Sequence, residues 1–141
     1  MSRVYWDSVL FIYLLEANPV FGTRVRRMHE GMVRRGDTLC TSVFTVGEVL
    51  TGPRKRNDVA GISELKKFFG GKDVEILPFA IEAADQYSVI RATTRVSQAD
   101  GIHLASAAAA GVDLFVTNDG ELQKLRVPGI RFFAYLDGRI H

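Results

Sequence analysis

The sequence has little of what marks several protein classes. Its single cysteine, Cys40, excludes an internal disulfide and is better explained as a small core residue than as a nucleophile. No uninterrupted apolar run approaches the ~18 residues that a membrane helix needs, and the first residues lack the organisation of a signal peptide. Repeats, linkers and low-complexity segments are also missing. We therefore expect a cytoplasmic protein without a membrane partner, folded as one domain over residues 1–141.

Several motifs of phosphate chemistry are absent as well. No Gly-x-x-x-x-Gly-Lys-Ser/Thr loop occurs, which argues against a nucleotide triphosphatase. A phosphatase of the haloacid-dehalogenase type would carry a second Asp two residues after the first, and Val9 stands there instead. The phosphorylatable Asp and later Lys of a receiver domain are not evident either. These absences exclude three common phosphotransfer designs.

The composition is that of an ordinary globular protein, with 47% hydrophobic and 24% charged residues. A net charge of +2 is too small to indicate nucleic-acid binding by itself. Basic residues nevertheless cluster in two stretches: Arg24, Arg26, Arg27, Arg34 and Arg35, then Arg54, Lys55 and Arg56. They are either solvated surface charges or contacts to phosphate, and the second interpretation needs an acidic active site beside them.

Short β-rich runs alternate with helical stretches along the chain. Strands are predicted at residues 4–6, 38–41, 74–77, 114–116 and 131–133. Helices are predicted at about residues 8–16, 19–35, 42–52, 59–69, 80–96 and 98–110, the third closed by Gly52-Pro53. This alternation predicts an α/β fold with a mostly parallel central sheet flanked by helices on both faces.

Four carboxylates fall where such a sheet binds ligands, beyond the carboxyl ends of its strands. Asp7 directly follows the first predicted strand, and Asp119 follows the fourth after two residues. Glu48 and Asp100 lie near helix starts that should point to the same edge. If the four side chains meet, they form one acidic site.

An acidic site of this kind favours a hard divalent cation. Clustered carboxylates raise each other's pKa values when no cation balances their charge. Mg²⁺ and Mn²⁺ prefer oxygen ligands, and a bound ion can acidify a water that attacks a phosphodiester. The pattern therefore predicts Mg²⁺ (or Mn²⁺) as the cofactor of a phosphodiester hydrolase.

Each carboxylate also has an explanation that needs no metal. Asp7 could cap the first helix, and Ser97-x-x-Asp100 resembles a capping box. Asp119 stands in Asn-Asp-Gly, which is favourable turn chemistry, and Glu48 could lie on an exposed helix face. Taken one at a time, the four acids are not specific for a metal site.

Other acids and the histidines are weaker candidates. Three aspartates precede strands and therefore belong to the opposite edge of the sheet: Asp37, Asp73 and Asp113. His103 shares a helix face with Asp100, so it is either a metal ligand or a structural, pocket-lining side chain. His29 and His141 have no neighbours in sequence that complete a ligand set.

Four motifs occur in a familiar order and spacing. They are Val4-Tyr-Trp-Asp7-Ser8, Thr45-Val-Gly-Glu48-Val-Leu, Gln98-Ala-Asp100-Gly-Ile-His-Leu-Ala-Ser-Ala and Gly111-Val-Asp-Leu-Phe-Val-Thr-Asn-Asp119. Through them the sequence resembles a PIN domain, and within that group the ribonuclease toxin of a bacterial VapBC toxin–antitoxin pair. The similarity extends over nearly the whole chain.

The resemblance implies a metal-dependent endoribonuclease that hydrolyses single-stranded or loop RNA with metal-activated water and no covalent intermediate. The tetrad of catalytic, metal-binding acids then maps to Asp7, Glu48, Asp100 and Asp119. Ser8 matches the small hydroxyl residue after the first acid, Thr117 the hydroxyl residue before the last acid pair, and Asn118 a common variant beside it. Many relatives carry Ala after the third acid, where this chain has Gly101.

The resemblance also implies partners, namely an RNA substrate, a cognate antitoxin protein and a second copy of the chain in a homodimer. The apolar run from Val9 to Leu15 serves either core packing or such a dimer or partner groove. An alternative is a non-catalytic nucleic-acid-binding or scaffold domain of the same fold. The presence of all four acids argues against it, because degenerate relatives typically lose one or more.

Overall fold

Five parallel strands form the central sheet in the computed structural model, which describes residues 1–136; His141 therefore lies outside the described residues. The strands are β1 (Arg3–Trp6), β2 (Thr38–Ser42), β3 (Glu75–Leu77), β4 (Leu114–Thr117) and β5 (Phe132–Tyr135). Their order is β3-β2-β1-β4-β5, and all four pairings are parallel. The expected α/β fold is confirmed.

Helices connect the strands within the described range. They are α1 (Ser8–Leu15), α2 (Gly22–Arg35), α3 (Val43–Lys55), α4 (Val59–Gly70), α5 (Ile81–Thr93), α6 (Gln98–Ala110) and α7 (Gly120–Gln123). None of the helices in residues 1–136 is long and apolar enough to cross a membrane.

Alternating side chains of the strands feed two hydrophobic cores, one on each face of the sheet. Val4 and Trp6 pack with helices α1 to α4, whereas Tyr5, between them, packs with α5 and α6. Cys40 is buried in the second core, as expected for a small structural residue. The sheet is therefore covered on both faces, as predicted.

Two helix boundaries near prolines differ from the prediction. Asn18 Oδ1 accepts hydrogen bonds from the amides of Val20 and Phe21, so residues 19–21 form a turn and α2 begins only at Gly22. The end expected at Gly52-Pro53 is wrong, because α3 continues to Lys55 with Pro53 buried inside it. After the end of α3, the amide of Asp58 donates a hydrogen bond to the carbonyl of Pro53 at 2.9 Å, so this carbonyl does not lack a partner.

Two further boundaries follow from local hydroxyl and carboxylate chemistry. The predicted fifth helix stops at Thr93 rather than at residue 96, where the Thr93 and Thr94 hydroxyls donate to carbonyls one turn earlier. The four-residue α7 was not expected; it forms because Asp119 caps it.

The order of the strands creates a crevice between β1 and β4. From β1 the chain adds β2 and β3 on one side, then returns to add β4 and β5 on the other. Such a reversal leaves an open crevice at the carboxyl ends of the two central strands, where α/β proteins bind ligands. We call this side of the sheet the carboxyl edge, and the opposite side the amino edge.

Candidate active site

Asp7 lies at the centre of the carboxyl edge, directly after β1 and at the N-cap of α1. Its side chain makes no close capping hydrogen bond, although the Val9 amide in the first turn of α1 is near enough to lower the pKa of Asp7. Thr117 Oγ1 donates to Asp7 Oδ2 at 2.7 Å, while Oδ1 is buried and has no hydrogen-bond partner within residues 1–136. Burial, and then the charge of Asp100, raises the pKa of Asp7 to about 6.

Glu48 lies on α3, and its Oε1 is the meeting point of two donors. Ser8 Oγ donates to this oxygen, and His103 Nε2 lies 2.6 Å from it. Burial alone would raise the pKa of Glu48, but the hydrogen bonds from His103 and Ser8 outweigh it and hold that pKa below its usual value. Glu48 is therefore a held side chain and not a free surface carboxylate.

Asp100 lies in the first turn of α6, which Ser97 caps by accepting the Asp100 amide at 3.2 Å. Burial raises the pKa of the Asp100 carboxyl, the Ser97 hydroxyl opposes this, and the charges of Asp119 and Glu48 add to the rise. Because Asp100 also raises the pKa of Asp7, the charge of Asp100 interacts with each of the other three predicted acids at this edge.

Asp119 has the local role that its turn sequence suggested. Its Oδ1 accepts the amide of Glu121 at 2.9 Å and so caps α7, and its own amide donates to Thr117 Oγ1 at 3.0 Å. Its side chain is nevertheless close enough for its charge to act on Asp100. Asp119 therefore caps α7 and also belongs to the group of acids at the carboxyl edge.

The three supporting residues also reach this region. Thr117 links Asp7 to Asp119, and Ser8 holds Glu48. Asn118 Nδ2 donates to the Tyr13 hydroxyl at 2.9 Å, and its Oδ1 is buried with no partner in the described chain.

His103 is the residue whose role the sequence left open. It is buried, with 4% exposed, and joins two distant parts of the chain. Its Nδ1 lies 2.7 Å from the Tyr5 hydroxyl, and its Nε2 faces Glu48. If Tyr5 donates to Nδ1, the ring carries its proton on Nε2 and donates to Glu48. Its spacing of three from Asp100 and its place among the apolar residues of α6 were the signals in the sequence.

Several residues of the two basic stretches make contacts within the described chain. Arg35 Nε donates to Asp37 at 3.0 Å, beyond the end of α2, and Arg56 pairs with Glu16 at 3.7 Å. Arg24 Nη1 donates to the carbonyl of Leu136 at 2.7 Å. Local contacts therefore account for part of the basic charge.

The residues present fit a cation that keeps some of its waters, and they do not form a closed cage. Within residues 1–136, no three His, Cys, Asp or Glu side chains are grouped closely enough to hold a metal. Mg²⁺ usually takes one or two carboxylates, several waters and a substrate phosphate. The buried, unpartnered Oδ1 of Asp7 is a hard oxygen donor of that kind.

The sequence model of the PIN domain matches residues 4–128. The chain belongs to the PIN domain family. No curated protein matches it by sequence. The resemblance inferred from the four motifs is thus confirmed at the level of the family.

Solved structures of toxin–antitoxin proteins share this PIN fold. VapBC2 from Rickettsia felis, bound to a DNA fragment from its promoter, has a TM-score of 0.75 at 15% identity, covering 94% of this chain and 98% of its own. DNA-bound VapBC from Salmonella typhimurium has a TM-score of 0.69 at 23% identity, covering 96% and 99%. Mycobacterium tuberculosis VapC20, described as a sarcin–ricin-loop-cleaving toxin, has a TM-score of 0.67 at 15% identity, covering 84% and 91%.

Proposed function

We propose that this PIN domain is a Mg²⁺- or Mn²⁺-dependent endoribonuclease that hydrolyses single-stranded or loop RNA. Its catalytic and metal-binding acids are Asp7, Glu48, Asp100 and Asp119. The observation that carries the proposal is the unpartnered Asp7 Oδ1, buried among acids that repel one another. A divalent cation there would offset this repulsion and supply acidity for a hydrolytic water.

The surrounding side chains hold the acids in place for this work. Thr117 binds Oδ2 of Asp7 and so leaves Oδ1 directed away from that contact. Ser8 and His103 both hold Oε1 of Glu48. Because these carboxylates are already held in place, they lose little entropy when a cation and a substrate phosphate bind. This favours correct positioning of the bond to be broken.

The same proposal includes partners and a cellular location. The similar VapBC structures support a toxin that an antitoxin protein silences in the cytoplasm. An apolar groove beside α1, lined by Ile12, Leu15, Val49, Leu65 and Phe68, is a suitable surface for the antitoxin. Ile81 and Val89 expose apolar side chains on α5, which supports a homodimer.

One observation favours a second candidate, a non-catalytic nucleic-acid-binding domain. The described residues do not preassemble three metal ligands, as a rigid metal enzyme would. This candidate differs from the first in a measurable way, since it predicts RNA binding without cleavage.

The deciding experiment incubates the purified full chain with an end-labelled pool of structured RNAs in Mn²⁺, Mg²⁺ or EDTA. We expect cleavage with either metal, none in EDTA, and none with Asp7→Asn at equal concentration. Asp37→Asn, changed at the amino edge, is the matched control and should cut like wild type. Cleavage in EDTA, or full activity of Asp7→Asn, would refute the mechanism; binding without cleavage would support the second candidate.

A further inference from the structure

Gly101 breaks the family pattern one residue after Asp100, and its surroundings give the reason. It lies inside α6, where glycine is less favourable than alanine. A Cβ at this position would lie 3.0 Å from Cε2 of Tyr87 and 3.1 Å from Cδ of Arg91. The missing side chain lets Tyr87 and Arg91 of α5 lie directly against the helix turn that presents Asp100.

A second aromatic ring extends this surface. Phe79 follows β3 by two residues, at the carboxyl edge, and is 38% exposed. Its ring centroid lies 6.2 Å from that of Tyr87, with the two planes 78° apart. An aromatic pair therefore runs from the end of the edge strand towards Asp100.

Arg91 adds a positive charge to the pair. Its Nη1 donates to the Tyr87 hydroxyl at 2.8 Å, and its guanidinium carbon lies 5.7 Å from the Tyr87 ring centroid. Among residues 1–136, Arg91 forms no ion pair with a carboxylate. An exposed guanidinium that is ordered by a tyrosine and left without a counter-ion is well suited to an anion.

We propose that Phe79, Tyr87 and Arg91, which we call the aromatic platform, bind one nucleotide of single-stranded RNA beside the acidic site. The base stacks on one of the two rings against the edge of the other, and its phosphate contacts Arg91. Unpaired bases are commonly held by aromatic side chains and arginine in this way. The inference rests on the proposed function, and it adds a residue set that would select unpaired RNA.

RNA fits the platform better than a second protein chain does. Successive helix residues are ~100° apart, so Tyr87 and Arg91 lie roughly opposite the exposed apolar Val89 on α5. The acids next to the platform would repel an RNA backbone, and Arg91 supplies the compensating charge at their border. A dimer contact would gain nothing from that arrangement.

The chain contains another arginine–aromatic pair, which lies at the amino edge of the sheet. The guanidinium carbon of Arg131 lies 5.8 Å from the ring centroid of Phe132, which is 63% exposed. These residues precede or begin β5 and therefore lie at the amino edge, away from Asp100. They provide a control arginine–aromatic pair away from the acidic site, although Arg131, unlike Arg91, also lies 3.8 Å from Asp113.

The test titrates the full chain with single-stranded RNA that carries 2-aminopurine, in Ca²⁺, with the RNA checked to be uncut. We expect quenching of the 2-aminopurine on binding. Phe79→Ala and Tyr87→Leu should raise Kd about tenfold and weaken the quenching. Arg91→Gln should raise Kd and reduce the slope of log K against log salt by about 0.7. Phe132→Ala and Arg131→Gln should bind like wild type.

The outcomes separate this inference from the proposed function. If wild type cuts RNA with metal but Phe79→Ala and Arg91→Gln keep its Kd, quenching and salt slope, the platform is wrong and the nuclease stands. If those variants alter the oligomeric state by size-exclusion chromatography and leave the Kd unchanged, the surface is a protein contact and the inference is also wrong. A wild type that neither binds nor cuts RNA refutes the proposed function itself.

Discussion

At the amino edge of the sheet, Asp37 accepts the Ser2 amide at 2.9 Å and Arg35 at 3.0 Å. At the carboxyl edge, Asp7 keeps one oxygen without any partner in the described chain. The same residue type thus has opposite surroundings at the two ends of the same strands. The carboxylate of Asp37 therefore stabilises the fold, whereas that of Asp7 has an oxygen available to bind a ligand.

The contrast extends to the neighbouring acids. Asp113 at the amino edge accepts the Arg3 amide at 2.9 Å and lies 3.8 Å from Arg131. Within residues 1–136, Asp100 and Asp119 at the carboxyl edge form no ion pair with Lys or Arg. Acids held without counter-ions cost stability, which is a common property of functional sites.

The largest expected effect is on the rate of RNA cleavage. It is measured by replacing one acid at the carboxyl edge and, separately, one acid at the amino edge. Asp100→Asn should reduce RNA cleavage on the order of 10³-fold, because a carboxylate proposed to hold the divalent cation is lost. Asp113→Ala should change cleavage less than about twofold and lower Tm by about 5 °C, since it removes contacts worth ~1–2 kcal/mol. Rates with excess metal and thermal melts measure both. Equal losses of activity would remove the functional distinction between the edges.

His103 offers a sharper test inside the carboxyl edge. His103→Leu removes the donor that holds Glu48 and should weaken Mn²⁺ binding about 50-fold, as loss of a supporting contact does at other metal sites. His103→Gln can present an N–H near the position of Nε2 and should recover part of that affinity. Titration of the folded variants with Mn²⁺, followed by electron paramagnetic resonance, gives the Kd. Wild-type affinity in His103→Leu would show that the contact to Glu48 does not support metal binding.

The raised pKa of Asp7 predicts that removing this carboxylate makes the folded protein more stable. It is about 6 in the folded protein against an ordinary value of 3.8 for aspartate, so the carboxyl ionises first in the unfolded chain, and stability falls between these pH values as pH rises. Above pH 6 the loss of folding stability caused by the ionised Asp7 no longer changes with pH. Asp7→Asn should therefore be more stable than wild type in EDTA at pH 7.5, by about 1 kcal/mol, and this advantage should vanish near pH 3.5.

Thermal melts across pH measure that difference, and added Mn²⁺ should raise Tm for wild type but not for Asp7→Asn. A less stable Asp7→Asn in EDTA would contradict the idea of an uncompensated acid at the carboxyl edge.

The smallest effect concerns the two glycines that neighbour acids of the site. Gly101→Ala should weaken binding of single-stranded RNA about threefold, because its methyl group displaces Tyr87, while better helix propensity offsets the crowding to within ~1 kcal/mol. Gly47 precedes Glu48, and a Cβ there meets no atom within 4 Å. Gly47→Ala is therefore the control, expected to raise Tm slightly and leave RNA affinity unchanged. Equal affinities of the two variants would argue against the contact with Tyr87.

Features set by local chemistry were predictable from the sequence. Asp7 and Asp119 were placed correctly because strand ends in a parallel sheet share an edge, and Gly36 and Gly111 end α2 and α6 with positive φ as expected. Pro53 misled the prediction because its burial inside α3 depends on packing that a local rule does not contain.

The contacts of His103 were beyond reach for a similar reason. Its two partners, Tyr5 and Glu48, are 98 and 55 residues away in sequence. Hydrophobic spacing places the histidine on the buried side of α6, but no pattern in the chain states which hydroxyl or carboxylate it will meet. The platform had one trace in the sequence, the unusual Gly101, and its cause became visible only in the packing of α5 on α6.

The central position of β1 also sets the order in which a growing chain can acquire its site. Val4 pairs with Leu39 on one side and with Leu114 on the other, a separation of 114 − 4 = 110 residues. Until β4 leaves the ribosome, Asp7 ends a strand with one neighbour, and Thr117, which holds its carboxylate, does not yet exist in the chain. The acidic site is therefore completed only after β4 has been synthesised, however early β1 is made.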